Sequence, residues 1–255
     1  MSIKIMLDRG HYGKRNRSPV VKEYYESERM WLLGAFLKEK LLEYGFFVGD
    51  TRDDNEKDLA VFKRGEMAKG YDLFLSLHSD AVGEGGSQSV SRVSVYASYD
   101  NKNDSWALGA KLAETVASAM GVPESYLKTR KSEKGDWEYY GVLRGAASVG
   151  CPLYYIVEHS FHTNPYSALW LMSDANLKKL ASAEAKTIAD HYGYFIRGDV
   201  NGDGNLDPND YALLKRAVLK TYVLKEAEKE RADMNSDGKI TARDYQLLKR
   251  KILEE

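Results

Sequence analysis

A single cysteine among 255 residues rules out an internal disulfide. That residue, Cys151, precedes a proline and an apolar run in "GCPLYYIVEH", the setting of a buried packing thiol rather than a nucleophile. No apolar run approaches the roughly 18 residues that would suggest a membrane span. The start, "MSIKIMLDRG", lacks the basic segment, apolar stretch and small-residue cleavage site of a secretory signal. The expectation is export by another route or a sequence that begins after its signal. An excess of one charge is missing too. Residues 1–197 carry 26 Lys+Arg against 26 Asp+Glu, and 198–255 carry 11 against 12. Nucleic acid is therefore not an expected partner, and the basic cluster "GKRNR" reads as a solvated loop.

What is present is an ordinary globular composition, 43% hydrophobic and 29% charged, enough for one good-sized core and a second small one. Up to about residue 197, strand-like and helix-like patterns alternate. "SIKIMLD", "FFVGDTR", "YDLFLSLH" and "SRVSVYAS" read as strands, and "PLYYIVEHSFHTN" as a strand running into a loop. "ESERMWLLGAFLKEKLLEYG", stopped by Gly45, reads as an amphipathic helix, as do "DLAVFKRGEMAKG", "SWALGAKLAETVASAMG" and "ANLKKLASAEAKTIADHYGYFI". This alternation predicts an α/β fold: a mostly parallel twisted sheet with helices on both faces. Ligands of such sheets gather beyond the carboxyl ends of the strands.

That rule selects His11, just past the first strand, His78 at the end of "LFLSLH", and Glu158 at the end of "LYYIVE". Glu23, Glu26 and Glu28 lie at the start of the long helix between the two histidines. Two histidines and a carboxylate with an open fourth position form a known catalytic zinc set, beside which a separate carboxylate can act as general base. Spacing alone leaves open the plainer reading, in which a strand-end histidine merely bonds a loop. A rival pair, His159 and His162, is disfavoured because residues three apart on an extended segment point to opposite faces; these read as loop histidines near a polar site. His191 reads as a surface or boundary residue.

The order "LDRGHYG", a Glu opening a helix, Thr51-Arg52, Arg64, "LSLHSDA" and "YIVEHSFHTN" resembles the zinc-dependent N-acetylmuramoyl-L-alanine amidases of cell-wall turnover and phage lysis, over roughly residues 3 to 194. The resemblance implies one catalytic zinc held by His11, Glu26 and His78, with Glu158 as the catalytic carboxylate. It implies bacterial peptidoglycan as substrate and action outside the cell, after lysin-like release if no signal precedes the sequence. Within the helix start, register back from Gly45 selects Glu26. Arg9, Tyr12, Asp80 and the two loop histidines depart from the family pattern, and Tyr12 and His162 are candidates to shape the substrate groove.

After residue 197 the pattern changes to a tandem repeat. "DVNGDGNLDPNDYALLKRAVL" and "DMNSDGKITARDYQLLKRKIL" begin 34 residues apart, at Asp199 and Asp233. Each is a calcium loop followed by an amphipathic helix. Oxygen donors stand at positions 1, 3, 5, 9 and 12: Asp199, Asn201, Asp203, Asp207 and Asp210, then Asp233, Asn235, Asp237, Thr241 and Asp244. Gly204 and Gly238 make the turn at position 6, while Asn205 and Lys239 at position 7 offer only backbone carbonyls.

Two calcium ions and a small all-α, EF-hand-like domain follow, dividing the chain into a catalytic domain at 1–196 and a calcium-binding domain at 197–255. The duplicated loop-helix with Asp at position 12 resembles the dockerin module, which implies a cohesin domain as partner. A cell-wall ligand or a purely structural role are the alternatives for this module. For the whole chain the alternative is a peptidoglycan-binding protein without catalysis.

Overall fold

The computed structural model describes residues 2–254, which divide into two compact units between His191 and Tyr192. In the first unit six strands form one sheet: β1 (Lys4–Arg9), β2 (Phe47–Asp50), β3 (Leu73–Asp80), β4 (Val93–Ala97), β5 (Ser125–Thr129) and β6 (Leu153–Phe161). Their order is β2-β1-β3-β6-β4-β5. All neighbours run parallel except β4 and β6, which are antiparallel.

Alternation along the strands separates two faces. Met6, Phe74, Tyr154 and Ile156 point to one side and pack with Ala68, Val142, Leu143 and Ala146, the last three from α4 (Gly141–Ser148). Helix α2 (Val61–Glu66) lies against α4 at very close range. A Cβ at Gly65 would collide with the Val142 carbonyl, and one at Gly145 with that of Phe62. The other face carries Ile5, Leu7, Leu73, Leu75 and Leu77, all essentially buried, and meets α1 (Glu26–Glu43). Helix α3 (Ser105–Met120) packs on β4, β5 and β6. Helices α5 (Pro165–Met172) and α6 (Asp174–Tyr192) complete the unit.

The sheet with helices on both faces agrees with the sequence reading, and three details differ. β5, α4 and α5 lie outside the elements read from the sequence. Helix α2 spans six residues rather than the whole of "DLAVFKRGEMAKG". Strand β6 continues through His159 to Phe161, so His159 is a strand residue and not a loop residue. The continuation is possible because the β3–β6 register slips after His78↔Glu158, with Ser160 at φ 59° absorbing the extra residue. Glu23 is exposed and precedes the helix, which begins at Glu26.

The second unit holds α7 (Pro208–Val218), α8 (Glu226–Ala232) and α9 (Ala242–Glu254) around a core of Val200, Leu214, Leu224, Ala232 and Leu248. Tyr211 and Tyr245, the equivalent tyrosines of the two repeats, stack at 4.3 Å between ring centroids. Among the described residues no helix is long and apolar enough to cross a membrane.

Candidate active site and repeat loops

The carboxyl edge of the sheet gathers the polar residues. β1 ends at Arg9, and Gly10 donates to the Leu77 carbonyl at 2.9 Å, which carries the chain across the end of β3. No side chain would fit there, because a Cβ on Gly10 would strike the Leu77 oxygen and the His78 ring. The next residue, His11, takes a left-handed conformation (φ 57°), rare for a residue with a Cβ and characteristic of functional sites. The loop that follows is tied to the start of α1. Ser27 Oγ donates to the Gly13 carbonyl at 2.6 Å and accepts from Arg15 N at 2.9 Å.

Helix α1 belongs to one face of the sheet, yet its first residue reaches over the strand ends. Glu26 is 1% exposed. Its Oε1 lies 2.9 Å from His78 Nδ1 and accepts from Ser79 N at 3.1 Å, while Oε2 lies 3.4 Å from His11 Nε2. Burial pushes the Glu26 carboxyl upward, but His11 and His78 outweigh it and hold the group ionised well below the usual carboxylate range. The side chains of His11, Glu26 and His78 each offer a donor atom within 4.8 Å of the others. Two imidazoles and one buried ionised carboxylate, concentrated at that spacing, fit a divalent cation of borderline softness such as zinc. Asn16, not anticipated from sequence, donates its amide to Glu26 Oε2 at 2.7 Å and sits 2.9 Å from His11 Nε2.

Glu158 is the register partner of His78, so both side chains leave the same face of the sheet on adjacent strands. Its Oε2 has no hydrogen-bond partner. Although its tip reaches the groove, the surrounding protein, then the charges of Glu26 and Asp80, push its carboxyl well above the usual range. A carboxyl of that kind holds its proton more tightly than an exposed one. His11, His78 and Glu158 line two adjoining cavities. One, of about 360 Å³, also takes in Tyr12, Leu59, Arg64 and Tyr140; the other, of about 540 Å³, takes in Asn16, Asp80 and His162.

The two groove candidates differ. Tyr12 lines the first cavity, its hydroxyl accepting from Arg15 at 2.9 Å. His162 is 4% exposed, stacked on Tyr24, with Nδ1 held by Ser79; burial lowers its pKa, so it forms a neutral wall. His159 points to the opposite face, where its ring nitrogens meet the His78 carbonyl at 2.8 Å and Glu184 at 2.7 Å, which removes it from any metal pair with His162. His191 is exposed, and Cys151 is buried with its thiol pushed up to about 12 by burial.

The two loops of the second unit are wired alike. At position 1, Asp199 Oδ2 accepts from Gly204 N and Asp233 Oδ2 from Gly238 N, both at 2.8 Å. At position 12, Asp210 accepts from Asn201 N and Asp207 N, and Asp244 from Met234 N and Thr241 N. Positions 9 and 12 also cap the following helix: Asp207 and Asp210 form a capping box on α7. Asp203 and Asp237 at position 5 turn to Asn201 and Asn235 at position 3, with amide contacts of 2.9 and 2.8 Å. Asn205 and Lys239 present backbone N–H groups to the same aspartates at 2.9 Å. The loop acids turn to loop amides and do not converge as tightly as the His11 trio. Burial nevertheless raises Asp199, and raises Asp210 to about 6, the behaviour of acids that lack a counter-charge.

Comparison with known proteins follows the same division. The N-acetylmuramoyl-L-alanine amidase family matches residues 5–190, and the dockerin type I domain matches 197–253. No curated protein matches the sequence significantly. Among solved structures, the catalytic domain of CwlV, an amidase from Bacillus (Paenibacillus) polymyxa var. colistinus, superposes with a TM-score of 0.63 at 17% identity, covering 76% of this chain and 99% of that one. An N-acetylmuramoyl-L-alanine amidase from Clostridium difficile 630 gives 0.64 at 18%, covering 75% and 97%. AmiC2 of Nostoc punctiforme gives 0.61 at 22%, also covering 75% and 97%. At these identities the structural likeness is one of fold, whereas the family match spans most of the sequence. The chain belongs to the N-acetylmuramoyl-L-alanine amidase family and carries a C-terminal dockerin type I domain.

Proposed function

We propose that the domain at 1–196 hydrolyses the amide joining N-acetylmuramic acid to L-alanine in bacterial peptidoglycan. His11, Glu26 and His78 hold one zinc ion and Glu158 serves as general base and then general acid. One observation carries the reading: His11, Glu26 and His78, with donor atoms within 4.8 Å of one another, line one cavity with Glu158, whose Oε2 has no hydrogen-bond partner. When bound, zinc supplies Lewis acidity, polarising the amide carbonyl and lowering the pKa of water toward about 7. Glu158 takes the proton from the attacking water and delivers it to the nitrogen of the departing L-alanine, so the carboxylate is regenerated in each turnover. Its raised affinity for protons suits the second half of that cycle. Tyr12 and the packed His162 ring bound the groove on either side of the reacting centre.

The domain at 197–255 holds two calcium ions, through the side chains of Asp199, Asn201, Asp203, Asp207 and Asp210 in one loop and Asp233, Asn235, Asp237, Thr241 and Asp244 in the other, with backbone carbonyls of Asn205 and Lys239. Asp199 and Asp210, buried and raised, support a cation in the first loop, and the second loop repeats the aspartates at positions 1, 5 and 12. The role of this domain is to dock the enzyme on a cohesin domain, placing the amidase outside the cell. Digestion of purified peptidoglycan, with the products identified by mass, tests the catalytic assignment: glycan strands freed of intact stem peptides are expected, and cleavage within the glycan or the peptide would contradict it.

A further inference from the structure

Behind His78 lies a chain of hydrogen bonds that ends on a fully buried carboxylate. Asp8 on β1 is 0% exposed, as is Ser76 on β3. The two are register partners, and Ser76 Oγ donates to Asp8 Oδ2 at 2.6 Å. Asp8 Oδ1 accepts from Thr51 Oγ1 at 2.8 Å and pairs with Arg64 Nη1 at 3.4 Å. Ser76 Oγ also lies 3.1 Å from His78 Nε2.

Proton accounting decides the direction of that last contact. A serine hydroxyl has one hydrogen, and here Asp8 takes it, so Ser76 can only accept from His78. Nε2 must then carry the hydrogen, and the Nδ1 lone pair faces Glu26 Oε1 at 2.9 Å. Two acceptors that close need a positive centre with them, a proton or a metal ion. Gly10, which has no Cβ to strike the His78 ring, leaves the imidazole room to stand in this orientation.

We infer that Asp8 and Ser76 are positioning residues for the reaction: they fix His78 as its Nε2–H form and present Nδ1 to the metal. This rests on the proposed zinc reading. Partners that donate or accept behind a metal-bound histidine set its tautomer and ring angle and strengthen its basicity.

The test is a long-range 1H–15N correlation spectrum of the full-length chain labelled at its five histidines, recorded before and after one equivalent of zinc. The expected result is a His78 ring protonated at Nε2 whose Nδ1 resonance alone shifts on zinc binding. Zinc at Nε2 would overturn the inference while leaving the metal reading intact; no zinc-dependent change at His78 would overturn both. In Ser76→Ala, the fixed Nε2–H form should give way to a mixture, and chelator competition should show zinc affinity reduced by about 10–100-fold. A folded Ser76→Ala with wild-type tautomer and affinity would contradict the inference. If that variant does not fold, the wild-type spectrum decides alone.

Discussion

His78 and Glu158 are register partners on adjacent parallel strands, so the sheet itself, and not a loop, sets the spacing between a candidate metal ligand and the candidate base. The register slip immediately after this pair lets both strands continue without disturbing it. Sites mounted on strands are held more tightly than sites on loops.

Substituting Gly10→Ala places a methyl group against the Leu77 carbonyl and the His78 ring. Since β1 and β3 are both buried, the new group has nowhere to go. Overpacking of this kind costs about 1–3 kcal/mol. Thermal melting should register the loss, and zinc affinity should fall with it because His78 is displaced.

The metal-free stability of the first domain should depend on Glu158. Its pKa is raised on folding, so the folded chain binds a proton more tightly than the unfolded chain, and stability declines as pH rises through the folded value. Glu158→Gln, which stays neutral, removes that decline. Melts in chelator should therefore show the variant gaining on wild type as pH rises above the usual carboxylate range. Parallel curves would remove the basis for a raised carboxyl.

For the repeat loops of the second domain, the proposed calcium site makes the sign depend on the ion. Asp210 is raised to about 6, so without calcium the second domain should lose stability as pH rises through about 6. With calcium present the order should invert, since protons then compete with the ion for the same carboxylate. Calorimetry at pH 5 and pH 7.5, chosen to lie on roughly either side of that value, with and without calcium, distinguishes the two regimes. Asp210→Asn should stabilise the calcium-free form and weaken calcium binding.

Glu184→Ala removes one of the two hydrogen-bond partners of the fully buried His159. Breaking a buried pair from one side costs about 3–5 kcal/mol. Because His159 also bonds the His78 carbonyl, the loss should appear in both the melting temperature and zinc affinity.

Much of this was legible in the sequence, for identifiable reasons. Helix α1 announced itself through its apolar spacing and Gly45, whose positive φ of 89° ends it. Counting back from that glycine selects Glu26, and Glu26 is the buried glutamate at the site. The strand ends gave His11, His78 and Glu158 because apolar runs stop at them. What sequence concealed depends on lateral pairing. Asp8 and Ser76 look like incidental polar residues until β1 and β3 are set in register. Strand β5, "SYLKT", lies at the sheet edge with partly exposed residues, so it carries no clear alternation. Helix α4, "GVLRGAAS", is short and is kept for its close glycine contact with α2 rather than for its propensity. From sequence His159 reads as a loop residue, because nothing in "VEHSFH" signals the register slip that extends β6.

The most direct test of the account compares zinc-loaded wild type with Glu158→Gln in calcium buffer, measuring the release of free L-alanine amino termini from purified peptidoglycan. The account predicts release by the wild type, and a loss of about 10²–10⁴-fold in the variant with its zinc retained. Near-normal release by a zinc-loaded Glu158→Gln would contradict it.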